Sequence, residues 1–189
     1  MKFIKNLFSK DSNSESSLKN IADDIFGGSY AVSRSTVEEF SEISEDVAPK
    51  IHLLLCAGLI NLLDRHIFTV APMARSNFMN QLINSVITKY VNFYQKEITA
   101  EVISDTLFDS VLSQMNNYQV YFGQFKKLGP ANEGQEIKNT FNWEFGKVFS
   151  QELEQNNDPV FIMLGSDQLT SLLLTLNLIE KVSYLKEAK

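Results

Sequence analysis

PMARSNFMNQLINSVITKYVNFYQK, residues 72–96, is the stretch that decides the fold class. At about 100° per residue, Phe78, Met79, Leu82, Ile83, Val86, Ile87, Tyr90, Phe93 and Tyr94 share one side of a helix. Asn80, Gln81, Asn84, Ser85, Thr88, Asn92 and Gln95 share the other. Pro72 marks the break before it. Solvent-facing helices usually lean on Glu and Lys, so an amide and hydroxyl face with almost no charge points to contact with another polar surface. Asn80, Asn84, Thr88 and Asn92 are therefore the candidate interface, with a partner protein or a second copy as the partner. The competing reading is an ordinary wet surface in an Asn-rich chain.

The neighbouring segments keep the same period. Ile103, Leu107, Phe108, Val111, Leu112, Met115, Tyr118, Phe122 and Phe125 recur every three or four residues, which predicts a helix opened near Thr99 and Glu101 and lasting to about Lys126. Upstream, Ile51 to Leu63 is apolar on nearly every side, as expected of a central core helix, with Pro49 beginning or kinking it. At 13 uncharged residues by count from the sequence, it is shorter than the ~20 a bilayer requires. No spanning segment is expected.

Further signals fill in the ends. Leu18, Ile21, Ala22, Ile25 and Phe26 lead to Gly27 and Gly28, a predicted helix stop, and Ser35 with Glu38 reads as a capping box opening the next helix. Gly129, Pro130, Asn132 and Gly134 mark a loop and hinge within Leu128 to Gln135. Beyond it runs a stripe of Ile137, Phe141, Phe145, Val148, Phe149 and Leu153. Asp158 and Pro159 then read as N-cap and first helical position, with a stop near Gly165 and a restart at Ser166. The expected fold is all-α: a single helical bundle of about six to eight helices over residues 18–189. Residues 1–17 are expected to form a flexible amphipathic segment and linker.

Composition agrees. The chain has 189 residues, 44% hydrophobic and 21% charged, and its 14 Phe against 8 Gly and 4 Pro suit long helices. A net charge of -6 and a pI near 5.0 argue against a nucleic-acid partner, because phosphate binding requires gathered Lys and Arg. Arginine stands only at Arg34, Arg65 and Arg75, dispersed in sequence although a fold can still gather them. One cysteine, Cys56, allows no intrachain disulfide and fits a cytoplasmic location. Residues 1–10 set Lys2, Lys5 and Lys10 around Phe3, Ile4, Leu7 and Phe8, a pattern that suits weak contact with a membrane surface.

Chemistry is sparsely signalled. His52 and Cys56 are one helical turn apart, the spacing of a metal half-site or of a thiol with its base, but also that of a buried Cys beside a hydrogen-bonded His. His66 falls ten residues beyond Cys56, about 15 Å along an ideal helix axis, too far to share one ion. Asp64, Arg65 and His66 set an acid, a cation and a base at the end of the apolar helix, either as a solvated helix end or as a pocket mouth. No phosphate loop, dinucleotide turn, nucleophile elbow or di-iron Glu-His pattern occurs, and no cofactor is expected. Trp143 lies opposite the stripe of its own helix and is the second candidate contact residue. These readings favour a non-enzymatic interaction module, a homo-oligomeric adaptor. The alternatives are a helical carrier or sensor of an apolar small ligand, and an enzyme with a site near His52, Cys56 and His66.

Overall fold

The computed structural model of the chain describes residues 3–95, 104–129 and 137–187, and among them there are seven α-helices and no strand. They are α1 Phe3–Glu39, α2 Ala48–Val70, α3 Pro72–Gln95, α4 Ser104–Gly123, α5 Phe141–Glu152, α6 Pro159–Thr175 and α7 Leu178–Lys181. A 3-10 turn, Glu45–Val47, leads into α2, and another, Ser183–Glu187, follows α7.

The central helix is α2. Every residue from Ile51 to Leu63 is buried, which requires neighbours on all sides. Pairs along the helices set their directions: Asp64 meets Arg75 and His52 meets Tyr94, so α3 runs antiparallel to α2. Asp23 with Lys89 and Tyr30 with Phe93 align α1 with α3, while Ala57 with Gln119 and Arg65 with Phe122 align α4 with α2. The result is an up-down-up-down layer of four helices, the packing favoured when apolar stripes are joined by short connections. Against it sit α5 and α6, crossing at glycines. A Cβ on Gly146 would lie 2.1 Å from the Ile162 carbonyl oxygen, and one on Gly165 would lie 2.5 Å from the Phe149 ring. Gly58 of α2 receives Phe145 and Leu169 in the same way, at 2.5 and 2.9 Å from an added Cβ. The abundance of Phe is spent here: Phe122, Phe141, Phe145 and Phe149 are all fully buried, with successive ring centroids 5.4 to 6.5 Å apart.

Several boundaries differ from the sequence expectation. Gly27 and Gly28 do not end a helix, Ser35 does not open one, and α1 also runs through 11–17, the stretch read as a linker. Serine and threonine explain the continuity. Ser29, Ser33 and Thr36 occupy the buried stripe that continues from Ile21 and Ile25, and the hydroxyls of Ser33 and Thr36 donate back to the carbonyls of Tyr30 and Val32. Ser35 does the same, to Val32, instead of capping. Gly28 lies under Leu172 of α6 and Leu176 just past its end, so packing outweighs the roughly 1 kcal/mol that glycine costs in a helix.

The stop at Gly165 is also absent, since α6 passes through it to Thr175, and α4 ends at Gly123. The Asp158 cap stands as read, its carboxylate accepting from the Val160 amide at 2.8 Å with Pro159 in the first turn. Thr99, Glu101, the 130–136 part of the hinge and the side chains of residues 1–10 lie outside the described residues. The expectation about membrane length needs correcting: Glu45–Val70 is one continuous rod of 26 residues containing an apolar window of mean hydropathy 1.5, long and apolar enough to cross a bilayer. However, 67% of that apolar window is buried in the chain's own packing, as in the core helix of a bundle.

Candidate functional site

His52 and Cys56 sit in the interior between α1, α2 and α3. The two imidazole nitrogens are both engaged, Nδ1 at 3.0 Å from the Tyr94 hydroxyl and Nε2 at 3.0 Å from the Phe26 carbonyl. The carbonyl can only accept, so Nε2 carries the proton and donates, leaving Nδ1 to accept from Tyr94. Burial lowers the His52 pKa from 6.5 to about 4, with the Phe26 bond pulling weakly the other way. The ring is neutral at pH 7. Phe26, Tyr30, Tyr90 and Tyr94 surround it with ring centroids 4.7 to 5.8 Å away.

Cys56 is fully buried beside it, and burial pushes its thiol up to about 12. A thiol that holds its proton is a poor nucleophile, and a histidine with both nitrogens engaged makes a poor base. Among the described residues no three His, Cys, Asp or Glu side chains are grouped so as to hold a metal ion.

The far end of α2 is different. Asp64, Arg65 and His66 all line one open cleft of about 870 Å³, together with Asn61, Leu62, Phe68 and Thr69 of the same helix. Its other walls come from Arg75 of α3, Gly123 at the end of α4, Lys126 and Leu128 beyond it, Leu173 of α6 and Ile179 of α7. The fold has gathered two of the chain's three arginines here. Its volume lies within the ~300–1,000 Å³ typical of small-molecule sites.

Arg65 is held by a relay of hydrogen bonds. Gln119 donates to the Ala57 carbonyl at 2.8 Å and accepts from Asn61 at 3.0 Å; Asn61 in turn accepts from Arg65 Nε at 2.7 Å. Arg65 Nη2 donates to the Phe122 carbonyl at 2.6 Å, and the guanidinium lies 5.1 Å from the centre of the Phe141 ring. All these partners are neutral. Asp64 instead binds Arg75 through two bonds of 2.7 Å, which raises the Arg75 pKa and uses up the one carboxylate among the described residues that line the cleft. Partial burial lowers the Arg65 pKa against the pull of Asp64, yet a guanidinium remains charged. For His66, burial and then the positive charge of Lys186 lower the pKa. Its Nε2 is shielded from solvent and has no hydrogen-bond partner.

The remaining candidates are surface features. Asn80, Asn84, Thr88 and Asn92 are all exposed, and they follow one another along the outside of α3. Trp143 is half-buried in a smaller groove of about 170 Å³ between α5 and α6, beside Ile162 and Met163. Sequence reading had isolated Asp64, Arg65 and His66 but missed Arg75, Lys126, Leu173 and Ile179, because these arrive from separate elements. The scarcity of arginine was the available clue. Comparison of the chain with protein-family models, curated proteins and solved structures gives no match.

Proposed function

We propose that this chain is a non-catalytic helical binding protein, a carrier or sensor that takes a small, mainly apolar ligand into the cleft at the end of α2. One observation carries the reading: an open cleft of about 870 Å³ whose wall joins Leu62, Phe68, Leu128, Leu173 and Ile179 to a few fixed polar groups. Ligand sites have this make-up, an apolar body with a small number of placed hydrogen-bonding groups. The sealed His52 and Cys56 pair argues against chemistry in the interior. Titration with N-phenyl-1-naphthylamine, a neutral fluorophore that brightens in apolar surroundings, tests it. Saturable one-to-one binding that Thr69→Trp abolishes by filling the cleft supports the reading. Binding that never saturates, or that ignores Thr69→Trp in a folded variant, overturns it.

A second reading keeps the protein-contact role. The exposed row Asn80, Asn84, Thr88 and Asn92 spans about 18 Å of α3 at 1.5 Å per residue. Such a row suits self-association without buried charge.

A further inference from the structure

Resting on the reading of the cleft as a ligand site, we infer that its ligand is an anion: a single-chain amphiphile with a carboxylate or similar head and an apolar tail. The chain as a whole is acidic, at net charge -6, so it offers no general attraction for anions. The cleft inverts that balance. Among the described residues, Arg65, Arg75 and Lys126 line it against Asp64 alone, and Asp64 is already paired with Arg75. Two positive charges are left over by subtraction, three cations less one carboxylate.

Arg65 is the better placed of the two. Its Nε and Nη2 are anchored to neutral acceptors, Asn61 Oδ1 and the Phe122 carbonyl, so the guanidinium is fixed without being neutralised. A charged donor whose orientation is already set loses little freedom on meeting a carboxylate, and that is where arginine gives specificity. His66 lines the same cleft, and its shielded Nε2 has no hydrogen-bond partner among the described residues. Leu173, Ile179 and Phe68 then receive the tail, since the exposed part of the cleft wall is mostly apolar.

The test compares ligands that differ only in the head group. 8-Anilinonaphthalene-1-sulfonate is the anionic counterpart of N-phenyl-1-naphthylamine, and decanoate and decanol serve as competitors. The expected result is at least tenfold tighter binding of the sulfonate than of the neutral fluorophore, and displacement by decanoate at a tenth or less of the decanol concentration. Arg65→Gln and Lys126→Gln should each lower the ratio of sulfonate affinity to neutral-fluorophore affinity several-fold. Lys126 is exposed and makes no side-chain hydrogen bond or ion pair among the described residues, so its variant remains informative if Arg65→Gln fails to fold. Equal binding of charged and neutral ligands overturns the anion inference but leaves the cleft as a ligand site. Failure of both fluorophores to bind overturns the cleft reading itself. Sedimentation with phosphatidylglycerol vesicles, without competition by decanoate, would move the anion to a membrane surface and overturn the soluble ligand.

Discussion

The Tyr94 hydroxyl lies 3.0 Å from Nδ1 of His52, joining the C-terminal half of α3 to the first turns of α2 across 42 residues of sequence. With the ring neutral, Nε2 donates to the Phe26 carbonyl and Nδ1 accepts from the Tyr94 hydroxyl. Burial of the ring, which penalises its charged form, holds the His52 pKa down from 6.5 to about 4.

Acid sensitivity follows from that shift. Below pH 6.5 the unfolded chain binds a proton that the folded chain refuses, so the contribution of His52 is fully present above 6.5 and falls as pH drops toward 4. Between pH 7 and pH 5 the loss is about 2 kcal/mol, from the 1.36 kcal/mol that each pKa unit represents. Urea denaturation of the wild type and His52→Phe at both pH values measures it. The wild type should lose about 2 kcal/mol more than the variant on acidification, and equal losses would show that the ring is not held neutral.

Two glycines make opposite predictions. Gly146→Ala puts a Cβ 2.1 Å from the Ile162 carbonyl oxygen, and neither backbone can yield cheaply. The substitution should cost about 3 kcal/mol or more, in the range of severe overpacking. Gly27→Ala meets nothing within 4 Å, at an exposed position inside α1, and should stabilise the fold by about 0.5–1 kcal/mol. Destabilisation at Gly27 would restore the helix stop that its sequence suggests and contradict a continuous α1.

Reactivity of Cys56 checks the interior directly. With the thiol buried and pushed up to about 12, labelling by an aromatic disulfide reagent at pH 7.5 should proceed only through opening of the fold. Its rate should be orders of magnitude below that of the urea-unfolded chain. Labelling of the native protein within seconds would place Cys56 at the surface.

What the sequence made legible was set by how locally each signal is generated. The unbroken apolar run from Ile51 to Leu63 predicts its own burial, because no surface arrangement tolerates it, and Asp158 before Pro159 predicts its own cap. Both depend on residues within a turn or two of each other. The length of α1 was hidden because Ser29, Ser33 and Thr36 look polar yet fill buried positions, Ser33 and Thr36 through hydroxyl bonds to the preceding turn. Gly165 looked like a terminator, while its actual role is to admit the Phe149 ring from another helix. The cleft was illegible for the same reason. Asp64 to His66 stood out as a helix end, but only tertiary packing brings in Arg75, Lys126 and Leu173 to make a pocket of it.

The last prediction concerns self-association through α3. Asn80, Asn84, Thr88 and Asn92 are exposed, and their amides and hydroxyl can pair across a second copy without the desolvation that buried Glu or Lys would suffer. The opposite face of the helix is already committed, with Leu82, Val86 and Ile87 fully buried. Placing lysine at Asn84 and Thr88 should therefore split an assembly by like-charge repulsion and burial cost while leaving each chain helical, lysine being a good helix former. Light scattering across a concentration series should show the wild type as an oligomer and Asn84→Lys/Thr88→Lys as a monomer, with unchanged circular dichroism. A wild type that stays monomeric at high concentration removes the idea. An oligomer indifferent to both lysines moves the interface to the groove that holds Trp143, where Trp143→Ala becomes the deciding variant.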